Sequence, residues 1–235
     1  MRRRELNERS PVRLLESSLH GGVGEGNIAV VVARHGVGKT AFLVGVALDD
    51  LMRGRNVLHV SVDQTADRVR TFYDEVFNDL AHESKLEDVW KVRVDLERHR
   101  RISCYLDGTF SVEKLTTAIE FMGEHTDFVP TTIVLDGFPI EETTEAEMQS
   151  LREIIGKLGA EMWMTAVRHR DDGAETDGTI PPSVAKVIDQ VDVVLQMAHD
   201  TKAVHVSLLK DHDNENISDL KVALDPRTML LMRES

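Results

Sequence analysis

Short apolar runs alternate with longer stretches in which apolar residues recur every three or four positions, and this alternation carries through most of the chain. The runs at 28–32, 56–62, 102–106, 131–135, 162–167 and 191–196 read as strands. Between them, helical spacing appears in Val69, Phe72, Val76, Phe77 and Leu80, in Val112, Leu115, Ile119 and Met122, and in Met148, Leu151, Ile154, Ile155 and Leu158. Residues 41–52 read as a helix, and 10–19 as a short lead-in helix with Ser10 as N-cap and Pro11 at the first helical position. Pro181-Pro182 opens another short helix. Residues 81–100 fit two patterns, since Leu86, Val89 and Trp90 suit a helix while Val92, Val94 and Leu96 alternate as in a strand. We read this stretch as a peripheral helical insertion. Closely spaced strands at 204–209, 220–224 and 229–231 complete the chain.

Strands that alternate with helices imply a parallel sheet covered on both faces. The clustered strands after residue 200 predict an antiparallel extension of that sheet. With no internal repeat or evident linker, 1–235 reads as a single α/β domain, with 1–19 leading into it.

Composition narrows the choices. The formal net charge of -13 opposes binding to nucleic acid and to anionic membrane. Cys104 is the one cysteine, so no internal disulfide forms, which fits a reducing, cytoplasmic setting. The opening MRRRELNERS has positive charge with no apolar run behind it, unlike a secretory signal, and no run is long enough for a membrane span. Arg2, Arg3 and Arg4 read as a frayed, solvated end.

The chemistry concentrates between the first strand and the helix after it. Ala33-Arg34-His35-Gly36-Val37-Gly38-Lys39-Thr40 has the spacing of a phosphate-binding loop, with Ala at the first glycine position. Gly36 and Gly38 permit backbone angles and close approaches that a Cβ blocks. The N–H groups from His35 to Ala41 then form an anion nest at a helix N-terminus. In that pattern Lys39 meets the β- and γ-phosphates, and the Thr40 hydroxyl is a ligand for Mg²⁺. Asp136 ends an apolar strand downstream, the Walker B pattern, which makes it a second metal ligand; its alternative role is that of a turn former before Gly137.

Together with ARHGVGKTAFLV, three further segments, VLHVSVDQTADRV, VIDQVDVVLQM and VHVSLLKDHDNEN followed by LKVALDPRTML, resemble the RecA-like P-loop ATPases, especially the KaiC and hexameric replicative helicase branch. The resemblance spans most of residues 18–231. It implies a RecA-like fold that binds ATP with Mg²⁺ and assembles as a homo-oligomeric ring or filament. It aligns Asp63 with the family's water-activating glutamate, with Gln64 as an alternative and a helix-terminal carboxylate as the plain structural role. It aligns Lys210 with a cation sent into the neighbouring subunit's nucleotide, against the plainer role of a solvated turn lysine. His212 stands where relatives often carry Arg, and no Gln follows the strand at 162–167 to sense the γ-phosphate. Arg168, His169 and Arg170 read there as a surface loop.

In DNA motors of this kind the loops after the Walker B strand and after the next strand face the nucleic acid. Here the first carries Glu141, Glu142, Glu145 and Glu147 with no Lys or Arg, and the second adds Asp171, Asp172, Glu175 and Asp177. A strand-tracking channel needs positive charge and stacking platforms. The sequence therefore points to a slow regulatory or assembly ATPase acting on an unidentified protein partner. A DNA-processing motor subunit and a non-hydrolysing nucleotide-binding scaffold are the alternatives.

Overall fold

A computed structural model describes residues 1–169, 172, 178–200, 203–217 and 219–234. Among these residues nine strands form one sheet: β1 (Ile28–Ala33), β2 (Val57–Ser61), β3 (Arg100–Cys104), β4 (Thr132–Asp136), β5 (Glu161–Val167), β6 (Val193–His199), β7 (Val204–Asp211), β8 (Val222–Leu224) and β9 (Leu231–Arg233). Their order is β3-β2-β4-β5-β1-β6-β7-β8-β9. The pairs from β3 to β6 are parallel, and those from β6 to β9 are antiparallel. The fold is α/β with a mostly parallel sheet and an antiparallel C-terminal extension, as the spacing of the elements predicts.

The helices are α1 (Arg3–Glu8), α2 (Val12–Ser18), α3 (Lys39–Met52), α4 (Ala66–Ser84), α5 (Val89–His99), α6 (Val112–Thr126), α7 (Glu145–Leu158) and α8 (Pro182–Ala185). β1 shows why both faces of the sheet are covered. Ala29, Val31 and Ala33 pack into one core with α3, α4 and α5, while Ile28, Val30 and Val32 pack into the other with α6 and α7. A strand buried on both sides needs apolar residues at every position, so β1 reads as a continuous run.

The stretch 81–100 resolves as the end of α4, a short link and α5. The helical reading prevails because Val92 and Leu96, one turn apart, enter the core beside α3, whereas Val94 is only partly buried.

The N-terminus corrects one expectation. Arg3 is not part of a frayed end: its Nε donates to Met52 O at 2.6 Å, its Nη2 to Leu51 O at 2.8 Å, and its Nη1 pairs with Asp95. It satisfies orphan carbonyls at the C-terminus of α3, where a cation also meets the helix dipole favourably. Arg4 pairs with Glu8 in the next turn and is exposed.

Charged groups gather where α3 ends and β5 begins. Asp50 accepts from Thr132 Oγ1 at 2.6 Å and pairs with Arg55 at 3.0 Å; Asp49 pairs with Arg13 and with Arg53. Burial pushes the Asp49 carboxyl up to about 6. Burial, with the Asp50 charge adding, pushes Glu161 up to about 7, against the indole N–H that Trp163 donates to it at 2.9 Å. Both groups hold protons in the folded chain over a range in which the unfolded chain has lost them. The contribution of these two groups to folding stability therefore falls as pH rises from about 4 to about 7. Glu161→Gln keeps an acceptor for Trp163 and is predicted to flatten this fall, gaining about 1–2 kcal/mol over the parent at neutral pH. Urea unfolding across that range measures it, and an unchanged slope would remove Glu161 as its source.

Candidate functional site

Loop 34–38 leaves the end of β1 and turns into α3 near the middle of the sheet, at the C-terminal edge of the parallel strands. Ligands bind at this edge in open α/β sheets. Gly36 has φ 78° and Gly38 φ 110°, a conformation L side chains rarely adopt. Among the described residues no side chain caps the first turn of α3. Gly38, Lys39, Thr40 and Ala41 instead border an open cleft of about 800 Å³, with His35 and Gly36 beside them. Val37 does not border the cleft, because its side chain packs against the core on the α3 side.

The Lys39 ammonium bends back over the loop and donates to Ala33 O at 3.1 Å and Arg34 O at 3.3 Å. Burial lowers its pKa, while the charges of Asp136 and Asp63 oppose that. A cation held there by backbone carbonyls is poised beside the cleft.

Asp136 is the best-anchored carboxylate in the cleft. Thr40 Oγ1 donates to its Oδ2 at 2.6 Å, and Thr165 Oγ1 to its Oδ1 at 3.1 Å. Thr165 also accepts from the Gly137 N–H at 3.0 Å. β5 lies between β1 and β4, so the Thr165 hydroxyl is carried to the strand that ends in Asp136. Burial raises the Asp136 pKa most; the Thr40 and Thr165 hydrogen bonds and Lys39 lower it, and the Asp63 charge raises it.

Asp63 follows β2 and borders the same cleft. Ser61 Oγ donates to its Oδ1 at 3.2 Å and also receives the Gln64 N–H at 3.1 Å. Gln64 is not among the cleft-lining residues. The Asp63 carboxylate lies against the backbone of Gly137, where an added Cβ would come within 2.7 Å of it. Gly137, at φ 76°, is thus required both for its own conformation and for the seat of Asp63.

Among the described residues no three His, Cys, Asp or Glu side chains are gathered to hold a metal. The hydroxyl of Thr40 and the carboxylate of Asp136 nevertheless present two hard oxygens 2.6 Å apart at the cleft. That pair suits Mg²⁺, which keeps several waters and takes one or two protein oxygens plus phosphate. No family model matches this chain, and no curated protein matches it. The geometry of the cleft carries the functional argument.

Two residues from the sequence lie elsewhere. Lys210 does not border the cleft: it sits across from Val194, level with Val30, and its Nζ donates to Ile188 O at 2.9 Å and Val191 O at 2.5 Å. His212 bridges Asp211 Oδ1 and Val23 O, each at 2.9 Å. Within one chain neither meets the phosphate loop.

The segment after β5 brings a second correction. Arg168 is not a surface residue, being 2% exposed. Its guanidinium binds Gln196 Oε1 on β6, Thr179 O at 3.5 Å and Asp172 O at 3.2 Å. His169 stays at the cleft mouth, 3.1 Å from Glu141. Arg170, Asp171, Glu175 and Asp177 lie outside the described residues.

Gly137→Ala is predicted to lose about 1–2 kcal/mol for its backbone conformation and at least about 1 kcal/mol more for displacing Asp63. Gly108→Ala is the control, since its φ is 69° and nothing lies within 4 Å of its added Cβ. Equal losses in thermal unfolding would show that Asp63 and Gly137 are not packed as described.

Proposed function

We propose that this chain is a RecA-like P-loop ATPase that binds ATP with Mg²⁺ and hydrolyses it slowly. It would act as a regulatory or assembly ATPase, changing its oligomeric state with ATP and so acting on a protein partner. The observation that carries this is the Thr40–Asp136 contact of 2.6 Å directly beside the Gly36–Gly38 loop, with the Lys39 ammonium between loop and strand ends. A glycine loop alone makes an anion nest; one joined to a buried carboxylate–hydroxyl pair suits a polyphosphate with its divalent cation.

Each side chain then has a task. The uncapped first turn of α3 and the loop N–H groups cradle the β- and γ-phosphates. Lys39 leaves Ala33 O and Arg34 O to meet the phosphate oxygens, a better partner for an ammonium than neutral carbonyls. Thr40 and Asp136 would hold Mg²⁺, which when bound offsets charge on the β- and γ-oxygens. Asp63, oriented by Ser61, accepts the proton of the water that attacks the γ-phosphorus as the bond to ADP breaks. Aspartate is one methylene shorter than the family's glutamate. Misplacement of about 1 Å can cost about 100-fold in rate, which is why hydrolysis is proposed to be slow.

A nucleic-acid channel is disfavoured at the cleft mouth. Glu141 borders the cleft, and Glu142, Glu145 and Glu147 follow it, all repelling phosphates. A role for Lys210 requires a neighbouring copy, as ring or filament assembly would supply.

Lys39→Ala is predicted to lower ATP affinity and any phosphate release together, by about tenfold or more. Asp63→Asn should leave affinity within about threefold and cut turnover by about 100-fold. Calorimetry and phosphate release on the same samples measure both. Tight ATP binding by Lys39→Ala would exclude the phosphate loop. Unchanged turnover in Asp63→Asn would leave Asp63 a structural carboxylate. Mass-resolved sizing with and without ATP and Mg²⁺ tests the assembly, and micromolar binding of single-stranded DNA in moderate salt would favour the motor instead.

A further inference from the structure

α5 carries the most exposed large apolar side chain among the described residues. Trp90 is 77% exposed, whereas Trp163, the other tryptophan, is buried in the core. Trp90 stands in the first turn of α5, with Val94 one turn on and Arg98 one turn beyond that. The three form a stripe along a surface groove of about 620 Å³ between α5 and the residues that open α1. This groove shares no lining residue with the phosphate-loop cleft.

The charge around the stripe is opposite in sign to that of the chain. Residues 89–101 carry five lysines and arginines against Asp95 and Glu97, in a chain of net charge -13. Several of these cations are engaged already. Arg93 pairs with Asp74 and Arg100 with Glu97. In the groove itself Arg3 pairs with Asp95, and Arg2 lies 3.9 Å from Glu87. Lys91 and Arg98 are exposed, and among the described residues neither side chain has a hydrogen bond or ion pair. We propose that this groove docks an amphipathic segment of a partner protein, with apolar residues laid on Trp90 and Val94 and carboxylates set against Lys91 and Arg98.

The chemistry favours a peptide over other anions. Tryptophan and arginine are the side chains that most often carry binding energy at protein interfaces, and an apolar stripe one turn apart is what a segment laid along a helix covers. The rim is mixed: Glu87 and Asp88 border the groove among the cations. A nucleic acid, with a phosphate at every step, or an anionic lipid surface meets those carboxylates wherever it lies, and the charge of the whole chain adds to the repulsion. A peptide can place its carboxylates singly, opposite the free cations alone, which fixes its register. This inference goes beyond the nucleotide reading and stands without it, since the groove is separate from the cleft. It gives the partner invoked above a surface and a chemistry.

The test is selection of a displayed library of random peptides on the full chain, with the double variant Lys91→Glu, Arg98→Glu as counter-target. Selected peptides are expected to combine Glu or Asp with apolar residues at helical spacing. Their binding is then followed by tryptophan fluorescence, in which exposed Trp90 should shift to the blue. Trp90→Ala and the double variant are each expected to weaken binding by about tenfold or more, and rising salt should weaken it in the parent. Thermal melting checks that the variants fold. ATP calorimetry on the same samples reads the cleft separately, so either proposal can fail alone. No enrichment, equal enrichment on the parent and the double variant, or selection of basic peptides would overturn the proposal. So would binding of oligothymidylate or anionic vesicles, or self-association of the chain, that the same substitutions abolish, because the groove would then belong to nucleic acid, membrane or a second copy.

Discussion

The cleft depends on how one buried carboxylate is held. Asp136 is only 4% exposed, and an ionised carboxylate at such a depth needs donors. Among the described residues it has two: Thr40 from the first turn of α3 and Thr165 from β5. These bonds join the helix after the loop, the strand that ends in Asp136 and the strand between. Thr165 extends the chain of contacts by taking the Gly137 N–H, and Gly137 in turn leaves room for Asp63. Loop, carboxylates and backbone are therefore one connected unit. Its geometry follows from the order β4-β5-β1, which puts a hydroxyl-bearing strand between the loop and the carboxylate.

That unit is short of positive charge. Asp63, Asp136, Glu75, Asp79 and Glu141 all border the cleft, against Lys39 and the exposed Arg227, which is 3.7 Å from Asp225. A polyphosphate entering such a space gains little from side-chain electrostatics. In the proposed reading its attraction would come from backbone N–H groups, from one ammonium and from a divalent cation beside Asp136. The same excess of carboxylates explains why the whole-chain charge and the local charge argue together against a nucleic-acid channel.

Much of this was legible in the sequence because strong periodicity and a dense motif leave few alternatives. β1 is apolar throughout, α4 and α7 show clean helical spacing, and the glycines of the loop have the positive φ their spacing implies. What stayed hidden depends on long-range contact. Thr165 is one threonine inside an apolar strand, and only strand order brings it to Asp136. Arg168 follows a strand and is followed by charge, so it reads as a surface residue, yet Gln196, two strands away in the sheet order, draws it inward. Arg3 looked like a solvated end because its partners, the last carbonyls of α3, lie some 50 residues on and carry no side-chain signature.

The two edges of the sheet handle charge in opposite ways. At the edge where β5 begins, Glu161 retains a proton because burial and Asp50 outweigh the Trp163 N–H. At the other edge, Asp136 has two hydroxyl donors and an ammonium to oppose the same burial. Both carboxylates are pushed upward, and Asp136 has the larger number of donors opposing that push. A buried acidic group with one weak donor tunes stability with pH. One with several donors is held in place at the border of an open cleft. The difference lies in the number of donors each strand end recruits rather than in depth. By that measure Asp136, and not the more conspicuous acidic surface, is the carboxylate that the residues around the cleft hold most firmly.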